Sequence, residues 1–592
     1  MAEHRSFKDE REYLLQEIRT LPEGPVALEK LKYLREEYDW AIPDYRNSLN
    51  ILSDTTYEDR KHFLLELIQN ADDANYINDN AELTFIILDD GLELRYNEDG
   101  FEVDDVIAIT GTGASTKSGK KNSSNSFIGE KGIGFKSVFA LALEVEIESY
   151  PWHFKLLKEK CIVPEVVYDS HMKPGSGTRI KIKFSDVGNI DIISKELEKY
   201  VGGEVESFLF LQKLSKFNVT DLRNEESKRQ TILLKPGNRK GDLLTLNAAP
   251  SNKLRKYLLY NQEIDFSQEL VQERWEKLSN YMGVLKRNIS VAALIDSSEE
   301  MKSDGRLFCF LPTKVKLPIP IFLQVDGYTK ADRERLHDPE NNNWNKHLLS
   351  QIPKFLLEAI LSWRENERIK DKLLDYIPME DGEDQLKDVF KNFRNLLCNA
   401  PWVKTMDNNE PWIEPQKAIM ADAFFMKWFE NYPDFREEAE KVLKKKFVHP
   451  KWCDKNHKRI KLDKYGVNKL SETDAVYILS LCSLPKNILK DNNITALYKY
   501  LLDFQAVKHS EVTDWRHTIE KTKIVRSVLE KCRIFPLEGK DFTCLKENYD
   551  DKVFWVGGNS NRATGIDGSF DLRMIDNEYT YYVGTSSEAL KK

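Results

Sequence analysis

Residues 63–74 read Phe-Leu-Leu-Glu-Leu-Ile-Gln-Asn-Ala-Asp-Asp-Ala. Phe63, Leu64, Leu67, Ile68 and Ala71 recur at the spacing of one helix face. Beside them Glu66, Asn70 and Asp73 stand at i, i+4 and i+7, so a carboxylate, an amide and a second carboxylate share one stripe. A stripe of this kind is the solvated side of an amphipathic helix or a set of ligands. The sequence around it decides between the two.

Downstream, Thr84-Phe-Ile-Ile-Leu-Asp89 and Leu92-Glu-Leu-Arg-Tyr96 flank Asp90-Gly91, which predicts a β-hairpin. Residues 111–131, rich in Gly, Ser and Lys, read as a loop. Gly129-Glu-Lys-Gly132-Ile-Gly134-Phe-Lys-Ser137 then places three glycines before a predicted helix, where bare amides and the positive end of the helix suit an anion. A Walker loop is excluded because Phe135 separates Gly134 from Lys136. A dinucleotide fingerprint fails too, since Ser137 stands where its third glycine belongs. Alternating strands are expected at about 144–150 and at 178–184, the latter entered through Gly175-Ser-Gly177-Thr178. Helices and antiparallel strands in one segment predict an α+β chain that begins with an α/β sandwich.

At 592 residues with 41% apolar and 31% charged composition, there is material for several cores. No apolar run reaches the length of a membrane span, and the charged N-terminus lacks a signal segment, so a cytoplasmic protein with no membrane contact is expected. The seven cysteines are scattered without a C-x-x-C pair, which points to packing roles. A net charge of −9 gives no support to broad nucleic-acid binding, though a local basic groove stays open.

The expected layout is a helical segment at 1–45, a nucleotide-binding domain at 46–190, a middle domain at 191–345 and a mainly helical region at 346–592. The middle part centres on strand-like runs Arg306-Leu-Phe-Cys-Phe-Leu-Pro312 and Leu317-Pro-Ile-Pro-Ile-Phe-Leu-Gln-Val-Asp326. In the last part, residues 396–413 echo residues 528–543, each reading as helix end, short strand, polar turn, short strand. The strand-like stretch Tyr579-Thr-Tyr-Tyr-Val583 near the end suggests a fragment of a longer protein.

In order, ELIQNADDA at 66–74, NEDGF at 97–101, GASTK at 113–117, FIGEKGIGFKSVF at 127–139 and GSGT at 175–178 resemble the GHKL (Bergerat-fold) ATPase superfamily, closest to its sacsin and NO VEIN branch. The resemblance implies ATP and Mg²⁺ as cofactors. Glu66 would deprotonate the attacking water, and Asn70 would ligate Mg²⁺. Asp73 would lie near the ribose or base. Gly129, Gly132 and Gly134 would line the phosphates, with Lys117, Lys131, Ile133 and Phe135 beside them in the lid and its flank. Thr178 would sit beneath the base. The family's base-recognising Asp-x-Gly-x-Gly motif is incomplete in Tyr96-Asn97-Glu98-Asp99-Gly100-Phe101. Aligning Gly100 with the motif's last glycine puts Tyr96 at the Asp position, and a register shift offers Asn97 or Asp99 instead.

Asp326-Gly-Tyr-Thr-Lys330-Ala-Asp-Arg333-Glu-Arg335-Leu336, after FCFLPTK at 308–314, resembles the segment that presents an arginine to the γ-phosphate. Arg333 is the expected catalytic arginine, with Lys330 and Arg335 as alternates and a solvated turn as the plain reading. His449, Cys453 and His457 stand at four-residue intervals, but the surrounding lysines disfavour a zinc ion. That basic stretch, with Trp452 inside it, reads as a surface loop or as a contact for nucleic acid or an acidic partner. The resemblance further implies a slow ATPase that acts as a conformational switch, a homodimer through the ATP-binding domain and an unidentified protein effector. The setting it implies is antiviral defence or DNA processing. A sacsin-like chaperone and a non-hydrolysing scaffold are the competing readings.

Overall fold

The computed structural model describes residues 7–40, 43, 62–77, 80–111, 134–169, 172–202, 205–223, 230–235, 243–249, 253–275, 286–295, 305–330, 335–382, 384–482, 535–536 and 542–543. The chain is α+β and divides into two units, residues 1–359 with 375–393, and residues 360–374 with 394–592.

The first unit opens with helices α1 (Phe7–Thr20) and α2 (Pro25–Leu34), which bury Leu14, Leu15, Ile18, Leu28 and Leu31. Helix α3 (His62–Asp73) carries the polar stripe. Strands β1 (Ala81–Ile87) and β2 (Gly91–Tyr96) form the predicted hairpin, pairing Leu83 with Tyr96 and Ile87 with Leu92. Along β1 burial alternates, with Ala81, Leu83, Phe85 and Ile87 inside. Each large apolar side chain so placed contributes roughly 1.5–3 kcal/mol, which fixes the register.

After helix α4 (Val103–Ile109), the description resumes in a 3-10 turn at Gly134–Ala140. A helix was expected there; the turn is shorter and tighter because strand β3 (Ala142–Ser149) begins two residues later. Strands β4 (Trp152–Leu157), β5 (Lys160–Val166) and β6 (Thr178–Phe184) follow, then helix α5 (Gly188–Gly202). Strands β7 (Leu214–Asp221), β8 (Gln230–Lys235), β9 (Leu243–Ala249) and β10 (Lys253–Asp265) lead to helix α6 (Gln268–Trp275) and strand β11 (Lys286–Leu294).

Two expected strands are divided differently. The run 306–312 does not stay extended, because Phe310 adopts φ 66° and turns β12 (Gly305–Cys309) directly into β13 (Leu311–Leu317). The run 317–326 is interrupted around Pro318 and Pro320, so β14 covers only Ile321–Gln324. One sheet joins all fourteen strands in the order β13-β12-β14-β11-β10-β9-β8-β7-β1-β2-β6-β3-β4-β5. Its pairs are antiparallel except β1 with β7 and β12 with β14. The strands of the expected segments 46–190 and 191–345 therefore share this sheet. The 21-residue helix α7 (Asn343–Trp363) comes next.

Helix α8 (Lys387–Leu397) precedes a strand-turn-strand unit in which β15 (Val403–Lys404) pairs with β16 (Trp412–Ile413). Further along are β17 (Ala418–Met420), helices α9 (Ala423–Asn431) and α10 (Pro433–Leu443), and β18 (Lys446–Phe447). Helix α11 (Asn456–Lys464), β19 (Asn468–Lys469) and helix α12 (Glu472–Leu481) complete the run. Finally β20 (Phe535–Pro536) pairs with β21 (Phe542–Thr543). In both halves of the sequence echo the two short strands pair antiparallel. The stretch 579–583 lies outside the described residues.

In the second unit Trp452 is fully buried, 6.2 Å from the Trp402 ring and 5.7 Å from Trp412. It is core, and unavailable for stacking on a base. His449 and Cys453 meet only through the Cys453 thiol and the His449 carbonyl, at 3.7 Å, while His457 is exposed. Burial pushes the Cys453 thiol up to about 12, so it does not offer a thiolate. No metal-ligating cluster occurs among the described residues. No described helix is long and apolar enough to cross a membrane.

Candidate nucleotide site

Burial shows that the α3 stripe is not a solvated face. Glu66 is 4% exposed and Asp73 7%, and Asn70 is half-buried. A solvated helix face does not look like this; polar groups taken out of water need partners or ligands. The Asn70 side chain makes no hydrogen bond among the described residues, leaving its amide oxygen open to a hard cation, which prefers oxygen donors.

The helix is anchored at its C-terminal end. Asp72 accepts the backbone N–H groups of Gln212, Lys213 and Leu214, each at 2.8 Å, tying α3 to the start of β7. Lys213 Nζ caps the helix by donating to the carbonyls of Asp73 (3.1 Å) and Ala74 (2.6 Å), where the dipole favours a cation. Phe63, Leu64, Leu67 and Ile68 hold the opposite side in the core. Helix α3 packs against the 3-10 turn Gly134–Ala140, which brings the helix to the end of the glycine-rich motif. Phe135 packs half-buried on the core. Gly129, Lys131, Gly132, Ile133 and Lys117 fall outside the described residues, as does Arg333.

The next residue in that motif serves the scaffold. Lys136 is buried and donates to the carbonyls of Ile109 (2.7 Å) and Cys161 (2.6 Å). Burial lowers its ammonium to about 8.

Strands β2, β6 and β3 bring Tyr96, Thr178 and Ser149 side by side, since Tyr96 pairs with Thr178 and Thr178 with Ser149. Thr178 is 1% exposed. Its hydroxyl lies 2.6 Å from Ser149 Oγ and donates to the carboxylate of Glu98. Glu98 is the residue the sequence reading missed. In the stretch Glu98-Asp99-Gly100, Glu98 is the carboxylate that the fold brings to Thr178. The other candidates of this stretch stand as follows. Asn97 accepts from the Glu82 N–H at 2.7 Å and donates to the Asn80 carbonyl at 2.9 Å, fastening the start of β1. Asp99 is exposed, its N–H held by the Asn75 carbonyl at 2.9 Å. Tyr96 is buried in the core cluster. Gly100 takes φ 102°, which lets the loop fold back so that Phe101 N–H reaches Ser149 Oγ at 2.9 Å. A carboxylate two residues before a positive-φ glycine was the available signal.

Burial, with Asp99 and Asp105 nearby, raises the Glu98 carboxyl to about 8 although the Thr178 hydrogen bond opposes it. The hydroxyl of Tyr76, its ionisation pushed up by burial, donates to the Ala71 carbonyl at 2.7 Å and ties this residue to α3.

The loop expected to carry the catalytic arginine is built on a firm base. Arg287 and Asp326 form a buried ion pair at 3.1 Å. Asn345 accepts from Tyr328 N–H (2.7 Å) and donates to the carbonyls of Tyr328 and His337, both at 2.9 Å. Lys330 N–H reaches the Arg335 carbonyl at 2.9 Å, so the residues flanking 331–334 are paired.

No family model matches the chain. Over 109 residues it is 44% identical to Protein NO VEIN of Arabidopsis thaliana, which takes in 18% of this chain. The match spans 4% of that plant protein's length, so the likeness is local.

Proposed function

We propose that the first unit binds ATP with Mg²⁺ and hydrolyses it slowly, as a switch that couples nucleotide state to engagement of a partner or a second copy. The observation that supports this is the packing of α3, the helix that carries Glu66 and Asn70, against the turn Gly134–Ala140 at the end of the glycine motif. The buried Glu98–Thr178 pair supports a base pocket next to it. The local likeness to Protein NO VEIN is consistent with the resemblance of the motifs to that branch.

In this reading Thr178 and Glu98 hold the base, and the Asn70 amide oxygen is the protein's ligand to Mg²⁺. Held there, Mg²⁺ would offset charge on the phosphate oxygens. Glu66 orients a water; its oxygen forms the new bond to the γ-phosphorus, the bond to the β,γ-bridging oxygen breaks, and Glu66 takes the proton. Arg333 is the candidate to offset the transferring charge. Calorimetric titration with a non-hydrolysable ATP analogue and Mg²⁺ tests the reading. Heat of binding, lost on removing Mg²⁺, is expected; its absence from the native protein overturns the proposal.

A further inference from the structure

Among the described residues, the one hydrogen bond to the Glu98 carboxyl comes from Thr178 Oγ1 to Oε1. Among the described residues no salt bridge reaches it, and the residue is 6% exposed. Behind it runs a fixed chain, with Phe101 N–H donating to Ser149 Oγ, whose hydroxyl lies 2.6 Å from Thr178 Oγ1. Because Ser149 accepts from a backbone amide, its own proton is available to Thr178, and the Thr178 proton then goes to Glu98. That leaves one lone pair of Oε1 and all of Oε2 for a ligand.

The two charge states of this carboxyl present different faces. With a proton on Oε2, Glu98 accepts at one oxygen and donates at the other. This matches the amino group and N1 of adenine. Without the proton it only accepts, at two oxygens, which matches N1–H and the amino group of guanine. Resting on the nucleotide reading above, we infer that the protonation state of Glu98 chooses the purine, adenine when neutral and guanine when ionised.

The surroundings place that choice near neutrality. Asp99 on the same loop and Asp105 on α4 disfavour the anion, as does burial. The phenols of Tyr76 and Tyr96 face it without charge, their own ionisation pushed up by burial. Among the described residues Lys213 is the facing cation, and its ammonium is held by the carbonyls of Asp73 and Ala74. Together these raise the carboxyl to about 8.

The test is the ratio of affinities for non-hydrolysable ATP and GTP analogues, at about pH 6.5 and about pH 8.7, on either side of that value. The ratio cancels ionisation of the phosphates, which both ligands share. In the native protein the preference for ATP is expected to fall about tenfold as pH rises, the usual scale for one mismatched hydrogen-bonding group. In Glu98→Gln the amide both accepts and donates, like the neutral acid, so the ratio should stay high and flat. A flat ratio in the native protein, or an unaltered slope in the variant, overturns the inference while ATP binding stands. If neither nucleotide binds at any pH, the nucleotide reading itself fails and this falls with it. The native protein's own profile decides even if the variant folds poorly.

Discussion

Lys136 Nζ lies 2.7 Å from the carbonyl oxygen of Ile109, joining the residue that ends α4 to the turn that packs on α3. A second bond, to the Cys161 carbonyl, fixes the amine inside the protein. An ammonium buried there is costly, which is why its proton is lost near 8 instead of 10.5.

The sign of the pH dependence follows. Between about 8 and 10.5 the unfolded chain holds a proton that the folded chain has shed, so the native state gains stability as pH rises through that window. Lys136→Met has no such proton. The stability of the native protein relative to this variant should therefore grow across the window, by about 3 kcal/mol at most. Urea midpoints of both proteins at several pH values measure it, and a constant difference refutes it.

How much was legible beforehand depends on whether local pattern or tertiary contact makes the feature. The α3 helix and the β1–β2 hairpin follow from periodicity and an Asp-Gly turn, which are local. The paired short strands at Val403–Ile413 and Phe535–Thr543 were readable as an echo for the same reason. Glu98 was not, because which of Tyr96, Asn97, Glu98 or Asp99 meets Thr178 depends on the positive φ of Gly100 and on the β2–β6 register. The role of Lys136 was hidden equally, since its partners are carbonyls 27 and 25 residues away. Trp452 shows the reverse error of composition, an aromatic among lysines that lies wholly in the core.

Glu66→Ala should separate binding from turnover. The residue sits on a helix anchored by Asp72 and Lys213, so truncation leaves the scaffold in place. Phosphate release is expected to drop about 10²–10⁴-fold, the usual contribution of a general base, with affinity for a non-hydrolysable ATP analogue retained. Unchanged release would assign the water to another group, and no release from the native protein would leave a binding scaffold.

Two glycines before β6 make a paired prediction. Gly177 has φ 82°, and a methyl group there would lie 2.3 Å from the Tyr96 carbonyl oxygen. Gly175 has φ 76° with nothing within 4 Å. Gly175→Ala meets only backbone strain, about 1–2 kcal/mol. Gly177→Ala meets strain plus a main-chain collision, and it displaces Thr178 from Glu98 and Ser149. The second variant should melt several degrees lower than the first and lose at least about tenfold in nucleotide affinity, since a hydrogen-bonded anchor is removed. Equal melting temperatures would mean that the β2–β6 approach at Tyr96 is not as close as described.

Trp452 offers a test of the second unit. Its indole touches Trp402 and Trp412 and is inaccessible, while Lys446, six residues away in sequence, is bound to Asp407 (2.7 Å) and Glu440 (3.2 Å). Removing a buried Trp costs about 3–5 kcal/mol, so Trp452→Ala should lower the urea midpoint markedly, with Trp452→Phe intermediate. Because the indole works by packing and not by charge, the loss should be the same at low and high salt. A stacking platform for single-stranded nucleic acid would behave oppositely, leaving stability intact on Trp452→Ala while weakening a salt-sensitive interaction with the strand. A stable alanine variant would therefore return Trp452 to the surface and the basic stretch to a binding role.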